Sequence, residues 1–304
     1  MSNSIDILIA ANKNYIIGLA LTLKSLLKNY TRNLRLNFNL ATTDINQNDI
    51  VQLEDYLSDK CSKEFNIHRL DKEAYSYIDA KLPRSSRFSN EANARLAIYE
   101  IFKKSEKVFY LDSDLFFYNF DFGDFLDIEM GSHSLAACQG NGNYKFKDMK
   151  LARPDLPIPD QMLGLPYLNS GVLIFQINNG LRNGFDKKLS SYLDSGLANK
   201  CDSDQFIINM VYAGDWIKID ERFNYRRFLR DGRFNFEVKN ASVFHFVGAC
   251  KPWNIIPFND SDVVHDVHEF LRRTKINRYL FSNINYIRTG RRSFFRRLKK
   301  LIIN

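Results

Sequence analysis

Asp112 and Asp114 stand two residues apart in the stretch Val108-Phe109-Tyr110-Leu111-Asp112-Ser113-Asp114-Leu115-Phe116-Phe117-Tyr118, where every other residue except Ser113 is apolar or aromatic. Two carboxylates that close repel one another, and burial raises the cost of ionising both. A divalent cation relieves the conflict, and the hard oxygen donors suit Mg²⁺ or Mn²⁺. Turns are also rich in Asp, so a solvated or capping pair is the alternative reading. The apolar run before the pair tips the balance, because a buried strand delivers both acids at its C-terminal end, the edge where open α/β sheets place their ligands.

Other stretches carry chemistry too. In His245-Phe246-Val247-Gly248-Ala249-Cys250-Lys251-Pro252-Trp253, Gly248 and Lys251 follow a histidine closely enough to form a small phosphate cradle. Arg95 sits in an apolar helical stripe with Ala94, Ala97, Ile98 and Ile101, placed either for a core ion pair or for an anionic ligand. Asn169-Ser170-Gly171 opens a β-rich run, which suggests a bulge or a close backbone approach to a ligand. Asp202 and Asp204 stand at a helix start, where capping alone explains Asp202.

The elements that must position these residues read as an alternating α/β pattern. Ile5–Ala10 is apolar on both faces, as in a central parallel strand, and a helix from about Tyr15 to Lys28 follows the polar turn Asn12-Lys13-Asn14. Leu36, Phe38 and Leu40 mark a second strand, 48–57 a helix and Phe65–Leu70 a third strand, a β-α-β-α-β order that predicts a mostly parallel sheet. A helix is expected at about 90–103, a short buried strand at Leu135–Cys138 and a helix around 184–194, with further strands at Trp216–Ile219 and Ser242–Val247. Residues 139–166 hold four of the seven prolines and read as irregular, a lid or a binding wall. Neither GxGxxG nor GxxxxGK[ST] occurs, so a dinucleotide fingerprint and a P-loop are both excluded.

With 304 residues, 45% hydrophobic and 26% charged, the chain can bury one large core. Its four cysteines are scattered without a CxxC pair, which fits reduced thiols in a cytosolic compartment, and the N-terminus carries no basic leader. The formal charge of +8 comes from one end: eleven Lys and Arg lie from Arg272 onward with no Asp or Glu, leaving −3 for the first 271 residues. If 291–303 is helical, Phe294, Phe295, Leu298, Leu301 and Ile302 share one face and Arg292, Arg296, Lys299 and Lys300 crowd the rest. A cationic helix with an aromatic-rich apolar face suits an anionic bilayer surface better than nucleic acid, for which the chain offers no motif.

Taken in order, Ala10-Ala11-Asn12-Lys13-Asn14-Tyr15, Ala94-Arg95-Leu96, Tyr110-Leu111-Asp112-Ser113-Asp114, Asn169-Ser170-Gly171-Val172, Asp204-Gln205 and the stretch from His245 to Trp253 resemble family 8 of the retaining glycosyltransferases, which includes bacterial lipopolysaccharide galactosyl- and glucosyltransferases. The resemblance spans about residues 5–255. It implies a GT-A-like (Rossmann-like) α/β fold, a mostly parallel mixed sheet flanked by helices, over residues 1–260; the charge pattern makes 261–304 a basic helical extension. It also implies a UDP-hexose donor and Mn²⁺, with Mg²⁺ as the substitute. By position, Asp112, Asp114 and His245 would hold the metal, and Ala10, Asn12 and Asn14 the uridine. Arg95 would face the donor, Gly248 and Lys251 the diphosphate, and Asn169 the sugar; Asp204, Gln205 and Lys251 would act at the reacting centre.

The chain departs from the family twice. Phe206 stands where many relatives have a second acid after Asp204-Gln205, and Gln139-Gly140-Asn141 replaces an acid that contacts the donor sugar in the bacterial galactosyltransferases. The function expected is hexose transfer, of galactose or glucose, to a glycan acceptor, lipid-linked or of the lipopolysaccharide or capsule type, on the cytoplasmic face of the membrane. A non-catalytic sugar-nucleotide-binding protein or a membrane-surface adaptor of the same fold is the alternative.

Overall fold

A computed structural model describes residues 4–58, 63–79, 81–82, 91–118, 120–140, 143–200, 203–228, 241–248, 251, 269 and 273. The chain opens with β1 (Ser4–Ala10), a 3-10 turn at Lys13–Tyr15 and α1 (Ile16–Lys28). β2 (Arg35–Ala41), α2 (Gln47–Ser58), β3 (Phe65–Arg69) and α3 (Glu73–Asp79) follow. The helix expected at 90–103 is a 3-10 segment, Ala92–Ala97, that passes into the single turn α4 (Ile98–Ile101). Next come β4 (Lys107–Asp112), β5 (Leu115–Phe117) and β6 (Leu135–Gln139).

The segment 139–166 is not the irregular loop that its prolines suggest. It carries α5 (Phe146–Ala152) and a 3-10 turn at Asp160–Met162, and is anchored by buried Phe146, Leu156 and Ile158. A helix of two turns is too short for its periodicity to show in the sequence. The described chain continues through β7 (Leu168–Gln176), α6 (Ile177–Arg182), α7 (Phe185–Asp194), α8 (Asp204–Val211), β8 (Ile217–Ile219), β9 (Tyr225–Phe228) and β10 (Val243–Val247).

The main sheet has seven strands in the order β3-β2-β1-β4-β7-β6-β8. The pairs β3–β2, β2–β1, β1–β4 and β6–β8 are parallel, whereas β7 runs antiparallel between β4 and β6. Both faces are covered, which is why the central strands read as unbroken apolar runs. Ile7, Ile9, Phe109 and Leu111 pack on one side with α1 and a cluster of phenylalanines, while Leu8, Val108, Tyr110 and Leu173 pack on the other with α8.

A second sheet, β5-β10-β9, holds the site together. β5 leaves the main sheet just past Asp112 and pairs antiparallel with β10, setting His245 opposite Leu115. Its other edge is taken up by α1: Thr22 Oγ1 exchanges hydrogen bonds with the Leu115 backbone, and Ser25 Oγ accepts from Phe117 N. These hydroxyls satisfy backbone groups that burial would otherwise leave unpaired. Among the described residues no helix is long and apolar enough to cross a membrane. Apart from Glu269 and Arg273, the extension 261–304 lies outside the described residues.

Candidate functional site

β4 ends at Asp112, beside Ala10 at the end of β1, so the carboxylate emerges at the C-terminal edge of the parallel strands. Residues two apart on a strand share a face. Tyr110 therefore lies behind Asp112, and its hydroxyl donates to Asp112 Oδ1 at 2.7 Å. The guanidinium of Arg95 stacks on the Tyr110 ring, 4.1 Å from its centroid, and Nη2 donates to Asp112 Oδ1 at 3.3 Å. Nη1 of Arg95 donates to the Ser170 carbonyl at 2.7 Å. Asp204 Oδ2 lies 2.7 Å from Arg95 Nε, an ion pair in which that N–H points instead at the Ala92 carbonyl. Arg95 thus forms a buried core ion pair, the first of its two readings, directly behind the candidate site.

The electrostatics follow from this burial. Desolvation works against the charge on Arg95, but Asp204, Tyr110, Asp112 and Asp114 raise its pKa above the usual value and keep it protonated. Burial pushes the Asp204 carboxyl up, only partly offset by Arg95. For Asp114, burial raises the pKa, yet His245 and Lys251 together bring it down to about 2.

Asp114 stands two residues after Asp112, across the turn into β5. Its Oδ2 accepts from Lys251 Nζ at 2.5 Å, and Lys251 also donates to the Phe246 carbonyl. Asp114 Oδ1 is buried, has no hydrogen-bond partner among the described residues and lies 3.2 Å from His245 Nε2. Asp112 Oδ2 lies 3.5 Å from the same nitrogen. One ligand atom from each of Asp112, Asp114 and His245 falls within 4.8 Å of the others. An orphaned carboxylate oxygen, a second carboxylate and a ring nitrogen brought this close together form a donor set that fits a divalent cation.

Gly171 explains the Asn-Ser-Gly signal. A Cβ there would sit 2.4 Å from His245 Cε1 and 3.0 Å from Asp112 Oδ2, so only glycine lets β7 pass behind the converging ligands. The group that approaches the Gly171 backbone closely is the His245 imidazole.

Asn12 caps the 3-10 turn by accepting from Asn14 N at 3.1 Å, and Asn14 is exposed beyond the end of β1. Gly248 follows β10 with φ +84, a conformation that favours glycine, and lets the chain turn back so that Lys251 reaches Asp114. Ala249, Cys250, Pro252 and Trp253 lie outside the described residues, as does Asp202; Ser203 is the cap of α8, accepting from Phe206 N.

Asn169 Nδ2 donates to Gln205 Oε1 at 3.1 Å, and the same oxygen accepts from Ser170 N at 3.1 Å. Gln139, at the position of the missing acid, is buried and donates to the Tyr144 carbonyl at 2.8 Å, so it braces the turn into α5. Tyr110 and Asn224 were not foreseen from sequence. Nothing marks the Asn after Phe223, whereas the i,i+2 spacing of Tyr110 and Asp112 was a usable signal.

The family model described as glycosyl transferase family 8 matches residues 6–256. A presumed glycosyltransferase of Haemophilus influenzae is 24% identical over 261 residues, covering 83% of this chain and 74% of that protein. Among solved structures, the galactosyltransferase LgtC in complex with donor and acceptor sugar analogs is similar with TM-score 0.62 and 20% identity, covering 88% of this chain and 95% of that one. The bifunctional glycosyltransferase WbbM is similar with TM-score 0.64 and 16% identity; 92% of this chain is covered, but only 51% of WbbM. At these identities the structural likeness concerns the fold.

Proposed function

Because this chain belongs to glycosyl transferase family 8, and so is a glycosyltransferase, we propose that it moves a hexose from a UDP-sugar to a glycan acceptor with retention of the anomeric configuration, using a divalent metal held by Asp112, Asp114 and His245. The observation that carries this reading is the convergence of those three ligand atoms at the strand edge, with one Asp114 oxygen left unpartnered. The donor set fits Mn²⁺, with Mg²⁺ as the substitute. When bound, the cation neutralises diphosphate oxygens and stabilises the departing UDP.

The chain's own groups do the rest. Ala10, Asn12 and Asn14 line the end of β1 where the uridine would lie, and Lys251 with Gly248 faces the diphosphate. Lys251 Nζ is a fixed, water-poor charge next to Asp114, and a preorganised cation there stabilises the negative charge that develops on the leaving oxygen. Arg95 acts from behind, holding Asp112 and Asp204 in place.

Gln205 Oε1 already accepts from Asn169 and from the Ser170 backbone, which argues against its use as a nucleophile on the sugar. We favour front-face transfer: the acceptor oxygen bonds to the anomeric carbon as the bond to the diphosphate oxygen breaks on the same face. The acceptor proton passes to that departing oxygen. Gln205 Nε2 has no partner among the described residues and is left to donate to a sugar oxygen.

Galactose and glucose remain equal candidates for the donor sugar, since Gln139 is committed to the protein backbone and supplies no acid. The acceptor we propose is lipid-linked or a lipopolysaccharide or capsule oligosaccharide, met at the cytoplasmic membrane face through the basic tail. A screen of UDP-sugars for slow, Mn²⁺-dependent hydrolysis tests the reading without an acceptor. Release of UDP from one UDP-hexose is expected. Binding of a UDP-sugar with no turnover, with or without added glycans, would favour the non-catalytic alternative.

A further inference from the structure

We propose that Asn224 is a positioning residue that fixes, through one chain of side-chain amides, both which nitrogen of His245 faces the metal ligands and which end of Gln205 faces the substrate. The inference rests on the metal reading of Asp112, Asp114 and His245. Asn224 ends the 3-10 turn Glu221–Asn224, immediately before β9, and is buried.

The orientation of each group follows from two backbone N–H donors whose protons cannot move. Gly171 N donates to Asn169 Oδ1 at 3.0 Å, so that atom is the carbonyl oxygen and the other end of Asn169 is its NH₂. Ser170 N donates to Gln205 Oε1 at 3.1 Å, which fixes Gln205 in the same way. The Asn169 NH₂ then meets Gln205 Oε1 at 3.1 Å, a consistent donor–acceptor pair.

Asn224 faces Asn169 Oδ1 at 2.6 Å, and an acceptor there demands the NH₂ of Asn224. The Asn224 oxygen is therefore turned to His245 Nδ1, 2.8 Å away. An oxygen acceptor requires Nδ1 to carry the proton, so Nε2 is the nitrogen offered toward Asp112 and Asp114. Amide ends and ring protons are normally assigned from the surrounding network; here the network is anchored at two backbone donors and leaves one solution. The same solution leaves the NH₂ of Gln205 as the end without a protein partner among the described residues.

The arrangement couples two tasks that different substitutions separate. A carboxylate at position 224 still accepts from His245 Nδ1 but cannot donate to Asn169. Asn169 would have to turn its NH₂ toward the carboxylate, lose the Gly171 bond and present an oxygen to Gln205 Oε1. Leucine, close in size, can do neither task.

The experiment compares wild type, Asn224→Asp and Asn224→Leu by three measurements. These are ¹⁵N NMR of the histidine rings in metal-free protein, binding of Mn²⁺ alone followed by electron paramagnetic resonance, and hydrolysis of a UDP-hexose at saturating donor. In wild type, His245 should show Nδ1 protonated, as part of the charged ring beside Asp114 in the metal-free state and as the Nδ1–H tautomer wherever the ring is neutral. Asn224→Asp should keep that tautomer and bind Mn²⁺ within about threefold of wild type, while turnover falls about tenfold or more, because the outer partner of the ligand survives and the amide order does not. Asn224→Leu should lose the tautomer preference and bind Mn²⁺ about 10- to 100-fold more weakly, the scale for removing the outer partner of a metal-bound histidine.

A residue that only packs would lower the melting temperature in both variants without moving the His245 ring signals or separating Mn²⁺ affinity from turnover, and that result overturns the proposal. Wild type with Nε2 protonated and Nδ1 bare also overturns it. If wild type shows the expected tautomer but binds no Mn²⁺, it is the metal reading that fails. Should the leucine variant not fold, the Asn224→Asp comparison and the wild-type tautomer decide alone.

Discussion

Asp114 Oδ1 and His245 Nε2 lie 3.2 Å apart, and the carboxylate oxygen has no hydrogen-bond partner among the described residues. Its sister oxygen is held by Lys251. Burial opposes the charge on Asp114, yet His245 and Lys251 bring its pKa down to about 2. That is below the value of about 3.9 for an unfolded Asp, so the ionised group stabilises the fold above pH 4 and this contribution is lost as pH falls through 2. In denaturant titrations of the metal-free protein, wild type should lose stability between pH 4 and pH 2 more steeply than Asp114→Asn. Equal acid slopes would mean that Asp114 is not held in this way.

Gly171→Ala tests the close approach of β7 to the ligands. The new Cβ would overlap the His245 ring and crowd Asp112, so at least one ligand must shift. Mn²⁺ affinity should fall about tenfold or more, comparable to losing a group that orients a ligand. Mn²⁺ binding by electron paramagnetic resonance reads this directly, with circular dichroism to confirm that the protein is folded.

Lys251→Ala should slow donor cleavage by about one to three orders of magnitude at saturating donor, the range for removing one preorganised group that stabilises developing charge. Steady-state hydrolysis of the UDP-hexose measures it. An unchanged turnover number would place Lys251 outside the leaving-group site and make its bond to Asp114 purely structural.

Much of this could be read in the sequence where a local pattern carries the geometry. The apolar run before Asp112 gave a buried strand ending in acids, and the alternation of Leu36, Phe38 and Leu40 gave β2. The departure of β5 into a second sheet was hidden, because Leu115–Phe117 continues the apolar run and only its pairing with β10 shows that the chain has left the main sheet. The antiparallel course of β7 was equally silent, since a strand buried on both faces reads alike in either direction. Arg95 left two readings open because its partners, Asp204 and Asp112, are distant in sequence and meet it only through the fold. Asn224 had no signal at all: a single amide gains its meaning from His245 and Asn169, and neither is near it in the chain.

The basic tail carries a separate expectation, read from residues outside those described. Deleting residues 288–304 should release the protein from anionic liposomes in a sedimentation assay and leave donor hydrolysis in solution within about twofold of full length, since the apolar and basic residues proposed to meet the membrane both lie in that segment. A truncated protein that still sediments with such liposomes, or a full-length protein that never does, removes the membrane assignment.

In the reading proposed here, Asp112, Asp114 and His245 hold the metal with which this glycosyltransferase works on a UDP-hexose. The most direct test of that claim is UDP release from that donor, measured for wild type as purified, after EDTA and after Mn²⁺ is restored, beside folded Asp114→Asn. Release should stop in EDTA, return with Mn²⁺ and fall by more than about 100-fold in Asp114→Asn, since losing a ligand costs more than losing a ligand's outer partner. Undiminished release in EDTA, or from Asp114→Asn, would contradict the claim.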